Sequence, residues 1–183
     1  DQVISKAKNI LPSDITQYEN FYKVITSKAQ KSALFTALPL SLIKQNSEIF
    51  QNLNLDLSFL STFAFSIYAL LKPGIGDNET IIYAELNRFL TVTAFDVEGP
   101  LKVFDRKTFP KNLISELKSV IKNLHTDYQI QAQKIYIAGE KSLEINIDEL
   151  TSELEIPVVK IGNYLDDLLE SLKLRLDTGG VPA

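Results

Sequence analysis

The chain has 183 residues, 45% hydrophobic and 23% charged, with a formal net charge of -4 and a pI of about 5.1. That length suits one large domain or two small ones, and the acidic balance offers no overall attraction to nucleic acid. With no cysteine and one histidine, disulfides, thiolate metal sites and a histidine metal cluster are excluded, and little is left for a Ser-His triad.

No apolar run reaches the roughly 18 residues of a membrane span. The closest, "LSFLSTFAFSIYALL", is too short and is interrupted by Ser and Thr. No signal-peptide pattern opens the chain. The first residue is Asp1 and there is no methionine, so the expectation is a piece of a longer protein whose upstream part holds half of any site.

In chain order, residues 2–10 place Val3, Ile4, Ala7 and Ile10 on one helical face, ended by Pro12 before a new turn at Ser13-Asp14. "NFYKVITS" and "SALFTAL" are strand-like and joined by the polar "KAQK", which predicts a hairpin. A helix comes next in "PLSLIKQNSEIFQNL", with Pro39 near its start and Leu42, Ile43, Ile49, Phe50 and Leu53 at helical spacing. "LDLSFL" reads as a short strand, and "STFAFSIYALLK" as a helix apolar nearly all round and therefore buried. "PGIGDN" is the clearest punctuation, so the boundary between two subdomains is expected there.

Three strands are then expected at 80–86, 88–97 and 101–108, joined by Asn87-Arg88 and by Glu98-Gly99-Pro100. Connections this short require antiparallel neighbours. The middle strand is apolar on both faces, with Phe89 and Phe95 on one and Leu90, Val92 and Ala94 on the other, which predicts cover on both sides. A helix over 110–125 carries Leu113, Ile114, Leu117, Val120, Ile121 and Leu124 in one stripe, with Pro110 suited to its first turn. Beyond it are a strand at 133–139, a helix from Asn146 with Glu149 as a capping pair, and a fifth strand at 156–162. A last amphipathic helix over 163–176 presents Leu165, Leu168, Leu169, Leu172 and Leu176, and "DTGGVPA" ends it as a frayed tail.

The order from residue 79 is β-β-β-α-β-α-β-α: a meander, then two strands added in parallel through helical crossovers. The expected fold class is α/β. A small α+β subdomain spans 1–73, a ribonuclease-H-like half of the actin-like ATPase fold with a mixed five-stranded sheet spans 78–176, and a flexible tail spans 177–183.

The segments "LPSDITQYENFYKVI", "SALFTALPLSLIKQNSEIFQNLNLDLSFLSTFAFSIYALL" and "KIYIAGEKS" add to that pattern. Over roughly residues 10–162 the chain resembles the later part of the PilM family. These are actin-like proteins of type IV pilus assembly, related to FtsA and to the cytoplasmic part of GspL. The resemblance implies a cytoplasmic, non-catalytic scaffold, peripheral at the inner membrane, in a type IV pilus or type II secretion-like assembly. The partners it implies are the cytoplasmic tail of an inner-membrane protein and an assembly ATPase, with no nucleic acid and no direct membrane insertion. It implies no cofactor, or ATP with Mg²⁺ if an N-terminal half exists.

In actin-like folds a hairpin grips phosphate with an Asp, a Gly and a Thr. Here Glu85 and Asn87 stand where that Asp and Gly would be, and Thr91 fills the Thr place. The adenosine-contacting turn of small residues reads Gly139-Glu140-Lys141-Ser142, of which Gly139 and Ser142 fit. Asn87 obstructs the backbone's approach to phosphate, which needs Gly, and Glu140 would set a like charge beside it. The implied cofactor residues Glu85, Asn87, Thr91, Gly139 and Ser142 thus form a degenerate pseudo-ATPase site. The plainer readings are a hairpin turn and a polar loop.

A ribonuclease-H-like metal nuclease is a further alternative, with Glu85, Glu116 and Glu140 as candidate ligands. The lone His125, near a helix end, suits the helix dipole and needs no catalytic role. Tyr18, Phe21, Tyr22 and Phe35 are candidates for a peptide groove, or for core. The exposed edge of the predicted hairpin, with Tyr22, Val24 and Phe35, is the expected partner-binding element.

Overall fold

The computed structural model of the protein describes residues 2–26, 31–55 and 62–162. The chain divides into two compact units, Asp1–Ser61 and Thr62–Ala183. The expected strand "LDLSFL", all but its first residue, and the expected helix 163–176 with its tail lie outside the described residues.

The first unit runs α1 (Gln2–Lys8), a 3-10 turn (Ile15–Gln17), β1 (Tyr18–Thr26), β2 (Lys31–Pro39) and α2 (Leu40–Asn52). The turn is set by Asp14, whose carboxylate accepts from the Thr16 N–H at 2.8 Å. β1 and β2 are antiparallel, with Tyr18 opposite Pro39, Tyr22 opposite Phe35 and Val24 opposite Ala33. Pro39 ends β2 and directly precedes α2, where its fixed φ of -58° suits the entry to a helix. Helices α1 and α2 both contact β2. Among the described residues of this unit, Ala7 is the one buried hydrophobic side chain.

The second unit begins with α3 (Phe63–Leu71) and a 3-10 turn (Lys72–Gly74). Then come β3 (Ile81–Leu86), β4 (Leu90–Asp96), β5 (Gly99–Arg106), α4 (Leu113–Tyr128) and β6 (Lys134–Ala138). A short 3-10 helix (Glu140–Glu144), α5 (Ile147–Leu154) and β7 (Val158–Lys160) complete it. The sheet has five strands in the order β5-β4-β3-β6-β7. β5, β4 and β3 are antiparallel, while β6 runs parallel to β3 and β7 parallel to β6. This is the mixed sheet that the order of elements predicts.

All six residues of β3 are buried, because the sheet is covered on both faces. Ile82, Ala84 and Leu86 pack with Leu90, Val92 and Ala94 of β4 and with Leu113, Leu117, Val120 and Leu124 of α4. Ile81, Tyr83 and Phe95 form a second cluster with Ile67, Tyr68 and Leu71 of α3. The Tyr68 hydroxyl donates to the Val97 carbonyl at 2.5 Å, fastening α3 beyond the end of β4.

Four local expectations change. Phe89 does not share a face with Phe95: β4 starts at Leu90, and Phe89 sits in the turn, half exposed. Gly99 and Pro100 belong to β5 rather than to the connection, whose turn is set by Asp96 accepting from the Glu98 and Gly99 N–H groups. Helix α4 starts after Pro110, with Asn112 as its N-cap accepting from Ser115 N at 2.9 Å, so Pro110 is not in its first turn. The units divide at 61/62, earlier than "PGIGDN", because the apolar side chains of α3 complete one face of the second unit's sheet.

Candidate functional site

The C-terminal ends of β3 and β6 lie side by side, since parallel pairing sets Glu85 opposite Ala138. The turns leaving these two strands therefore meet, bringing Asn87 of the β3–β4 turn against Gly139 of the turn after β6. Alternation along β3 puts Tyr83 and Glu85 on the α3 face. Glu85 is buried, at 8% exposure. The Tyr83 hydroxyl donates to its Oε2, and Asn87 Nδ2 donates to its Oε1 at 2.5 Å. The same Asn87 side chain accepts, through Oδ1, the backbone N–H of Glu140 at 2.9 Å.

Gly139 has φ +97° and ψ 168°, a region restricted to glycine. A Cβ there would stand 2.7 Å from the Leu86 carbonyl oxygen and 2.7 Å from Asn87 Oδ1. The buried Ser142 closes the turn, its hydroxyl donating to the Gly139 carbonyl at 2.6 Å and its N–H at 3.0 Å. Thr91 stands opposite Glu85 in the ladder, but its hydroxyl donates to Asp105 Oδ1 on β5, at 2.7 Å.

Of the five residues singled out, Glu85, Asn87 and Gly139 converge. Ser142 supports Gly139 through its carbonyl, and Thr91 hydrogen-bonds in the next strand. Tyr83 and Asp105 were missed. Both were recoverable: Tyr83 precedes Glu85 by two on a strand, and Asp105 is placed by the register of the meander. Chemically the arrangement is a carboxylate and a backbone N–H, both engaged by one carboxamide.

The three carboxylates weighed as nuclease ligands are not brought together. Glu85 lies on the α3 side of the sheet, whereas Glu116 sits on α4, on the opposite side, paired to Arg106 Nε at 2.6 Å. Among the described residues, no group of three or more His, Cys, Asp or Glu is placed to hold a metal ion. His125 lies in the last turn of α4, where a positive charge suits the helix dipole.

In the first unit, the register puts Tyr22 beside Phe35 and Val24 beside Ala33 on one face of the β1–β2 ribbon. Tyr22 and Val24 are 42% and 52% exposed, and Phe35 is partly buried. Phe21, on the other face, is 47% exposed. Among the described residues of the ribbon, the exposed large apolar side chains, Phe21, Tyr22 and Val24, all lie on β1.

No protein-family model matches the chain, and no curated protein matches it. Solved structures do. A chain solved in a "PilM-PilN type IV pilus biogenesis complex" superposes with TM-score 0.71 at 13% identity, over 100% of this chain and 72% of that one. A Bacteroides thetaiotaomicron protein "with actin-like ATPase fold and unknown function" gives TM-score 0.51 at 11% identity, over 93% of this chain and 64% of that one. At such identities the likeness shows the fold. The mixed five-stranded sheet with helices on both faces is the ribonuclease-H-like sheet of the actin-like fold.

Proposed function

We propose that the chain is a non-catalytic scaffold in a type IV pilus or type II secretion-like assembly, at the cytoplasmic side of an inner membrane. In this reading it binds the extended tail of an inner-membrane partner, and an assembly ATPase as a second protein partner. The observation that carries it is the β1–β2 ribbon, which sets Tyr22, Val24 and Phe35 on one face, with β1 the more exposed strand. An edge strand offers unpaired N–H and C=O groups to an incoming strand, and alternate apolar side chains select its residues. The solved chain of similar fold belongs to a two-protein pilus complex, which supports a protein partner. The non-catalytic part rests on Asn87, whose carboxamide engages both Glu85 and the Glu140 N–H.

The test is a titration of the full chain with a labelled synthetic peptide, taken from the cytoplasmic tail of the pilus inner-membrane protein encoded in the same genome. Val24→Pro removes an N–H from β1, and Tyr22→Ala removes an apolar anchor. Each is expected to weaken binding by roughly tenfold or more, the order of one good anchor residue. Unchanged affinity in both variants, with an unchanged circular dichroism spectrum, rejects strand addition at β1.

A further inference from the structure

Edge strands invite unwanted pairing, and folds usually blunt them. The five-stranded sheet follows that rule. Its edge strand β5 contains Pro100, which has no N–H to offer, and its register with β4 shifts beside Phe95. The opposite edge strand, β7, is three residues long. β1 is different: its nine residues contain no proline and pair with β2 in an unbroken register. Side chains alternate along it. Tyr22 and Val24 share one face with Phe35, and Glu19 and Phe21 share the other. Glu19 is exposed, and among the described residues no cation pairs with it. Its neighbour on β2 is Leu38, so an opposite charge directly across a ladder can reach it only from the open side of β1.

We infer that the segment taken up by β1 carries a Lys or Arg opposite Glu19 and apolar side chains opposite Phe21, Tyr22 and Val24. It adds antiparallel, the more stable pairing per residue. Read from its N-terminus, the segment is then apolar, any, apolar, apolar, any, Lys or Arg. This rests on the reading of β1 as a strand acceptor, and it names what is accepted. Cytoplasmic segments close to a membrane span carry an excess of Lys and Arg. The tail of an inner-membrane protein therefore supplies the charge that Glu19 lacks, and the chain's net charge of -4 attracts it from a distance.

The experiment titrates the full chain with two labelled synthetic peptides with blocked ends. Both follow this pattern, with Val at the apolar places and Thr at the free ones, and they differ only in the last place, Lys or Glu. The wild type is expected to bind the Lys peptide roughly threefold to tenfold more tightly than its Glu twin, the scale of turning one cross-strand attraction into a repulsion. That preference is expected to fade in about 1 M salt. Glu19→Lys is expected to reverse it. Equal affinities of the twins for the wild type, or an order that Glu19→Lys leaves unchanged, overturn the inference. Should Glu19→Lys not fold, Glu19→Gln decides, since a preference that survives loss of the charge comes from elsewhere. If the natural tail peptide binds and slows the β1 amides while neither designed peptide binds, the inference falls and strand addition stands. If Val24→Pro leaves the affinity for the Lys peptide unchanged, strand addition at β1 falls and takes the inference with it.

Discussion

Glycine is required at residue 139 for two separable reasons. Its φ of +97° is one that side-chain-bearing residues avoid, and the space its Cβ would fill is taken by Leu86 O and Asn87 Oδ1. The second obstacle is largely backbone, which cannot rotate away as a flexible side chain can. Gly139→Ala is accordingly expected to lower the free energy of unfolding by about 3 kcal/mol, adding strain at a glycine-only conformation to steric conflict. Urea denaturation measures it, and a loss well under about 1 kcal/mol, within the range of an ordinary surface change, would mean that the two turns do not pack as described. The sequence singles out Glu85, Asn87 and Gly139, but as members of two motifs. That they make one contact depends on β3 and β6 pairing in parallel through the α4 crossover: the order of elements predicts a parallel addition, but the register that sets Glu85 opposite Ala138 has no local signal.

Among the elements, helix termini divide the readable from the unreadable. Asn146 is legible as a cap because its side-chain oxygen serves the N–H groups of Asp148 and Glu149 at the start of a clear apolar stripe. Asn112 is hidden by Pro110, which suits a first helical turn equally well on composition. Between α4 and α5, Lys118 donates to Glu153 at 2.8 Å, and this hydrogen bond, with the attraction of the lysine's charge, holds the Glu153 carboxyl below its ordinary value. A carboxylate whose folded pKa is depressed stabilises the fold above its unfolded pKa, and that contribution is lost as pH falls through the folded value. Both side chains are about half exposed, so solvent screening keeps the effect on stability small. Lys118→Met is therefore expected to move the Glu153 titration upward towards the usual carboxylate range, tracked by the side-chain carbonyl shift in NMR, with little change in overall stability. A Glu153 titration unmoved by the substitution would dissociate the ion pair from the shift.

Across the whole molecule, the two units differ in how much apolar surface they bury. In the second, β3 is wholly enclosed, and Leu117, Val120, Leu124, Ile135 and Ile137 are all at most 1% exposed. In the first, among the described residues, Ala7 alone is a buried hydrophobic, while Tyr22, Val24, Leu42, Ile49 and Leu53 are exposed. The second unit was the more legible for this reason: two-sided burial writes continuous apolar runs into β3 and β4 and a clean stripe into α4. The boundary was less legible because a helix apolar all round signals burial without saying in which unit. The same asymmetry governs local stability, since opening exposes little apolar surface where little is buried. Backbone amides of β1 and β2 are thus expected to exchange with solvent faster than those of β3 and β6, by orders of magnitude. If β1 accepts an extended peptide, its amides should slow when the peptide is added and those of β3 should not, because a new strand supplies partners only to the edge it joins. Slow exchange in β1 without peptide would point to an edge already satisfied, and strand addition would then have no donors or acceptors to use.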